Sequence, residues 1–140
     1  PFGNYRNPNI VNEPVLRAVN AYFNTAAVHF SCMDYAEVLV QIKKGTFVYL
    51  DPPYDPVSDT SSFTGYAKGG FSKDDQIRLR TCCDDLNRRG IKFMLSNSAT
   101  PFIIEQYAKY HITIVRAKRA INSVASKRGD VDEVVVRNYE

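Results

Sequence analysis

Residues 46–50, TFVYL, are a run of β-branched and aromatic side chains closed by Leu50, and Asp51-Pro52-Pro53 follows at once. A run without alternation reads as a strand buried on both faces, the habit of a central parallel strand. Two prolines cannot continue a hydrogen-bonded ladder, so the strand has to end at Leu50. Proline also pushes the residue before it toward extended geometry, which stiffens Asp51 and Pro52.

The rest of the chain arranges itself around that strand. PFGNYRNPN, at the start, is turn-rich and reads as loop. Asn12 is a helix cap with Pro14 in the first turn, and Val15, Leu16, Val19, Tyr22 and Phe23 give an apolar stripe. AAVHFSC (26–32) reads as a strand, and residues 34–45 as a short helix ended by Gly45. Residues 54–70 carry no apolar period but many Ser, Thr, Asp and Gly, the composition of a long functional loop. A helix runs from Ser72 to Gly90, with Cys82 and Cys83 on its buried side beside Ile77, Leu79 and Leu86. Strand 91–96, helix 100–110, strand 111–117, a basic loop and strand 133–139 complete the chain. Strands separated by helices predict an α/β fold with a mostly parallel sheet.

At 140 residues this is the length of one ordinary domain, and 44% hydrophobic with 24% charged residues is a globular composition. The net charge of +3 does not itself argue for nucleic acid, and a basic run is most often a solvated face; here the lack of any acidic residue across it tips the reading toward DNA. Arg116, Lys118, Arg119, Lys127 and Arg128 fall in one stretch without an acidic residue. Three cysteines, two of them adjacent, form no disulfide framework and predict a reducing, cytoplasmic setting. No apolar run is long enough for a membrane span.

Ligands of open α/β sheets bind beyond the carboxyl ends of the strands, where Asp51 to Tyr54 lies. Neither proline has an N–H, so the local carbonyls are free to face a ligand. A carboxylate, a carbonyl and an aromatic plate held rigidly together suit a planar group that carries an amino substituent. Read alone, the tetrad serves equally well as a strand terminator with Asp51 as a cap. A metal site on Asp51 and Asp55 is the weaker reading, because no His or third carboxylate stands nearby at ligand spacing, and no metal is expected.

The tetrad DPPY after a buried strand resembles motif IV of the amino-methyltransferases. The SSFTGY loop, the helix after FS, LSN ending at Asn97, and KRAIN (118–122) before VDEV are similar, in the same order, to the Dam-type DNA adenine methyltransferases. CMDY (32–35) resembles the family's motif III, and PFGNYRNP the end of its DNA-reading domain. The resemblance implies a Rossmann-like sheet and methyl transfer from S-adenosylmethionine to N6 of a flipped-out adenine in duplex DNA, at GATC. It assigns catalysis to Asp51, Pro52, Pro53 and Tyr54, and cofactor contacts to Asp34, Tyr35 and Asp51. Without it, Asp34 reads as a helix cap and Tyr35 as core, and both roles can hold at once. DNA contacts would fall to Pro1, Asn4, Tyr5 and Arg6, to Ser58 and Lys68 on the long loop, and to Lys118, Arg119, Asn122, Lys127 and Arg128. The position of Asn4 is often basic in the family. His29 and His111 read as structural.

The seven glycines include no G-x-G after a strand. The resemblance therefore implies that the glycine loop for the methionine part of the cofactor, the first two strands of the sheet and most of the DNA-reading domain precede Pro1. On this reading residues 1–11 end the DNA-recognition region, and 12–140 form the C-terminal part of a bacterial or phage catalytic domain that needs its N-terminal portion as partner. A truncated homologue that binds DNA without catalysis is the alternative. Substrates such as RNA adenine, cytosine N4 or glutamine fit less well, since those enzymes more often begin the tetrad with Asn or Ser.

Overall fold

The computed structural model describes residues 11–57, 70–118 and 130–140. They belong to two units that divide between Met33 and Asp34. In the first, helix α1 (Glu13–Thr25) begins as predicted, with Asn12 at the cap position and Pro14 in the first turn. The Asn12 side chain makes no cap hydrogen bond; only its carbonyl accepts, from Leu16 N–H at 3.0 Å. The apolar stripe is exposed, and no residue of α1 is buried. Residues 26–32 are not a strand. A strand exists through its ladder, and among the described residues this segment has no ladder partner.

The second unit holds helices α2 (Tyr35–Gln41), α3 (Lys73–Arg88) and α4 (Pro101–Gln106) and strands β1 (Phe47–Leu50), β2 (Lys92–Ser98), β3 (His111–Lys118) and β4 (Asp130–Arg137). Helix α2 stops at Gln41 rather than Gly45, because Ile42 turns extended and Gly45, at φ 95°, serves the tight turn into β1. Helix α3 follows its sequence signals: Ser72 Oγ accepts from Asp75 N–H, the Asp75 carboxylate accepts from Ser72 N–H at 2.8 Å, and Gly90 leaves at φ 68°. The Thr100 hydroxyl caps α4 by accepting from Ile103 N–H at 3.2 Å.

The four strands pair in the order β1-β2-β4-β3. The pair β1·β2 is parallel and the pairs β2·β4 and β3·β4 are antiparallel. The sheet is therefore mixed, which corrects the expectation of mostly parallel pairing. Strands β1, β2 and β3 still run one way; β4 runs against them, inserted between β2 and β3. The carboxyl ends of β1, β2 and β3 consequently share one edge of the sheet, from which the chain also departs at Lys118 toward the basic segment.

The register puts Val48, Phe93, Leu95, Val134 and Val136 on one face, and Leu39 of α2, Leu79, Cys83 and Leu86 of α3, Ile103 of α4 and Tyr107 pack onto it. Burial pushes the Cys83 thiol up to about 12, so it is an inert core group; Cys82 is only half-buried and Ile77 is exposed. On the opposite face Phe47 and Tyr49 are 53% and 58% exposed. This overturns the expectation that TFVYL is buried on both sides. Among the described residues β1 is an edge strand, with β2 on one side only.

Helices α2 and α3 are tied by an ion pair: the Arg78 guanidinium donates to both oxygens of Asp34, at 2.8 and 3.0 Å. These bonds, and one from Ala36 N–H, hold the Asp34 carboxyl below its ordinary value of 3.8. A carboxylate depressed on folding adds stability that is present above its unfolded value and lost as pH falls through the folded one. Arg78→Met should therefore flatten the acid-side loss of stability, which comparing urea midpoints at about pH 7 and about pH 3 would reveal. Leu86, fully buried, tests the core: Leu86→Ala should cost about 2–5 kcal/mol in denaturant unfolding.

Candidate active site

Strand β1 delivers Asp51 to the shared edge of the sheet, and the chain leaves as an irregular segment through Pro56. With no N–H at residues 52 and 53, backbone bonds cannot hold this segment, and side chains do so instead. Gln76 Nε2 donates to the Pro53 carbonyl at 2.9 Å, and Asp55 N–H donates to Asn97 Oδ1 at 2.9 Å. The two amides meet, Asn97 Nδ2 donating to Gln76 Oε1 at 3.0 Å. Thr100 Oγ1 donates to the Asp55 carboxylate at 2.6 Å, which joins the cap of α4 to the same loop. Asp55, Gln76, Asn97 and Thr100 are all buried.

In front of this network, Asp51 is exposed and Pro52, Pro53 and Tyr54 are half-buried. A cleft of about 260 Å³ opens there, walled by Tyr35, Leu50, Asp51, Pro52, Pro53, Phe71 and Leu79 among others. Tyr35 is set by the first turn of α2, with its ring 6.4 Å from that of Phe71 and the Arg78 guanidinium over it at 4.9 Å. Asp34 caps α2 through Ala36 N–H at 2.9 Å and is held by Arg78; it is not among the cleft walls. The cap reading of Asp34 is thus observed, and its carboxylate remains exposed. Tyr54 is not a wall of the cleft either. Its hydroxyl lies by Ser96 on β2, and burial raises the phenol above its ordinary 10.0, so it is a neutral group at physiological pH. Ser96 also bonds the Tyr49 hydroxyl at 2.6 Å.

The structure therefore brings Tyr35, Asp51, Pro52 and Pro53 together, with Tyr54 beside them. Aromatic and apolar walls with one exposed carboxylate suit a flat heterocycle and a positive charge near Asp51. Lys118 ends β3 at the same edge. Pro1, Asn4, Tyr5, Arg6, Ser58, Lys68, Arg119, Asn122, Lys127 and Arg128 lie outside the described residues. Among the described residues no three His, Cys, Asp or Glu stand together as metal ligands, and no helix is long and apolar enough to cross a membrane.

Sequence reasoning missed Gln76, Phe71 and Arg78. Gln76 had a signal: residues 76, 79, 83 and 86 are one buried helical stripe, and a carboxamide at a core position needs a partner. Arg78 had none, since its partner is 44 residues away.

Residues 1–121 match the family described as D12 class N6 adenine-specific DNA methyltransferases. The chain is 39% identical over 139 residues to a type II methyltransferase of Lactococcus lactis subsp. cremoris, covering 99% of this chain and 49% of that protein. It is 42% identical over 141 residues to a type II methyltransferase of Methanocaldococcus jannaschii, covering 99% and 48%. To the DNA adenine methylase of Escherichia coli K12 it is 31% identical over 139 residues, covering 96% and 48%. The chain spans about half the length of these relatives. With a family match over most of its length, and a cleft suited to a heterocycle at its DPPY segment, the chain belongs to the D12 class of N6 adenine-specific DNA methyltransferases.

Proposed function

We propose that this chain carries the acceptor side of a methyl-transfer site that acts on N6 of adenine in duplex DNA, at GATC. The observation that carries the reading is the convergence of Tyr35, Asp51, Pro52 and Pro53 on one cleft beyond the carboxyl end of β1. Methyltransferases of this class use S-adenosylmethionine as donor. The described walls fit its adenine and its charge: Tyr35 and Phe71 offer ring faces, and Asp51 offers the only carboxylate among them. When bound, that cofactor supplies an electrophilic methyl group on a cationic sulfur.

The chain's own residues would prepare the acceptor. Adenine N6 is a poor nucleophile because its lone pair is delocalised into the ring. Asp51 and the Pro52 carbonyl each accept one N6 hydrogen, which draws the nitrogen toward tetrahedral geometry and localises the lone pair. The Asp51 carboxylate stabilises the positive charge that grows on N6 during transfer. Tyr54 stacks on the base, and stacking recovers part of the few kcal/mol that extruding it costs. Asp34 accepts from the amino group of the cofactor's adenine, through the lone pairs that Arg78 and Ala36 leave.

DNA would lie along the edge where Lys118 ends β3, with Arg119, Asn122, Lys127 and Arg128 beyond it, Ser58 and Lys68 on the loop after the tetrad, and Pro1, Asn4, Tyr5 and Arg6 from residues 1–11. The sheet of residues 12–140 would be part of a Rossmann-like one, with two further strands and the glycine loop supplied by an N-terminal portion.

Two outcomes are expected. In the whole enzyme, Asp51→Ala abolishes tritium transfer from labelled cofactor to GATC duplex and leaves DNA affinity within about twofold; undiminished methylation would sink the reading. The 140 residues alone bind S-adenosylmethionine too weakly for a stoichiometric calorimetric titration, whereas tight one-to-one binding would show that the cradle needs nothing more.

A further inference from the structure

The carboxamides of Gln76 and Asn97, 1% and 0% exposed, play no part in the chemistry above, yet they stand directly behind the tetrad. Asn97 Oδ1 accepts from two backbone N–H groups, Asp55 at 2.9 Å and Ser98 at 2.8 Å. That leaves Nδ2 to face α3, where Gln76 Oε1 accepts at 3.0 Å. Gln76 must then present Nε2, its donor end, to the Pro53 carbonyl at 2.9 Å. Reversing either amide would set donor against donor or acceptor against acceptor, so the pair has one direction.

We propose that Gln76 and Asn97 are positioning residues for methyl transfer, a directional pair of buried amides that orients the Pro52 carbonyl and Tyr54. The proposal rests on the methyltransferase reading given above. The two amides grip the Pro53 carbonyl and the Asp55 N–H, which lie on either side of Tyr54. The Pro53 ring locks φ, so with the Pro53 carbonyl held only ψ of Pro53 separates it from the preceding peptide plane, which carries the Pro52 carbonyl. Apolar side chains of the same shape would pack as well but would leave the Pro53 carbonyl and the Asp55 and Ser98 N–H groups without these partners. What the amides add is direction at the point where the acceptor carbonyl leaves the sheet.

The test compares Gln76→Met, which keeps length but removes donor and acceptor, with the parent whole enzyme. The single-turnover rate of methyl transfer should fall about 10- to 100-fold, the scale of an ångström-sized misplacement, while KM for cofactor and DNA stays within about twofold and the protein melts cooperatively. Where Gln76→Met does not fold, Gln76→Asn, too short to bridge both partners, should show the same split. A folded variant at the parent's rate, a rise in KM at unchanged rate, or failure of both variants to fold would each overturn the proposal. Asp51→Ala run beside them separates the two ideas. If Asp51→Ala still methylates, the reading of the site fails; if it is dead while Gln76→Met transfers at full rate, only the positioning role fails.

Discussion

The carboxyl edge of the sheet depends on a single side chain, Asn97. Its carbonyl oxygen takes the N–H of Asp55 and of Ser98, and its amide nitrogen sets Gln76, which in turn holds Pro53. Asp55, Gln76, Asn97 and Ser98 are buried and Pro53 is half-buried, and leaving one buried polar group unsatisfied costs about 1–3 kcal/mol, a large part of the stability of a domain. Removing the side chain would strand several at once. Two consecutive prolines make the network necessary, because they strip the loop of the donors by which a strand end is normally fastened.

The mixed sheet then determines what can meet at that edge. Because β4 enters between β2 and β3 from the opposite direction, β1, β2 and β3 keep a common polarity. Their carboxyl ends present Asp51, Ser98 and Lys118 along one border, an acceptor group at one end and the start of the basic segment at the other. A purely alternating meander would have sent one of them to the far side. Thus the topology places the DPPY segment and the end of β3 on the same border of the sheet.

Much of this was legible in the residues. Ser72, Asp75 and Gly90 bounded α3 because caps and stops act over three or four residues, and α4 followed Thr100-Pro101 for the same reason. The AAVHFSC segment failed because β propensity expresses itself only against a partner strand, and pairing is not encoded locally. The exposure of Phe47 and Tyr49 was invisible for a related reason: an apolar run says that a strand can be buried, and only the sheet order says what covers it. At the site, the tetrad and Tyr35 could be named in advance, but their meeting could not. The Arg78–Asp34 pair joins residues whose local sequence contains nothing that points to the other.

The octapeptide YLDPPYDP contains Asp-Pro twice, and sequence alone gives the two aspartates the same standing. The fold separates them. Asp55 is 5% exposed and takes the Thr100 hydroxyl at 2.6 Å, which fastens α4 to the loop. Asp51 is exposed on the wall of the cleft, and no described residue donates to its carboxylate. A buried carboxylate is out of reach of a ligand in the cleft, whereas one on the cleft wall is within reach. The difference comes from four residues of chain and from which side of the Pro-Pro step each lies. Before the step, β1 fixes the backbone and no described residue holds the side chain; after it, the backbone has no ladder and the side chain is drawn in to hold it.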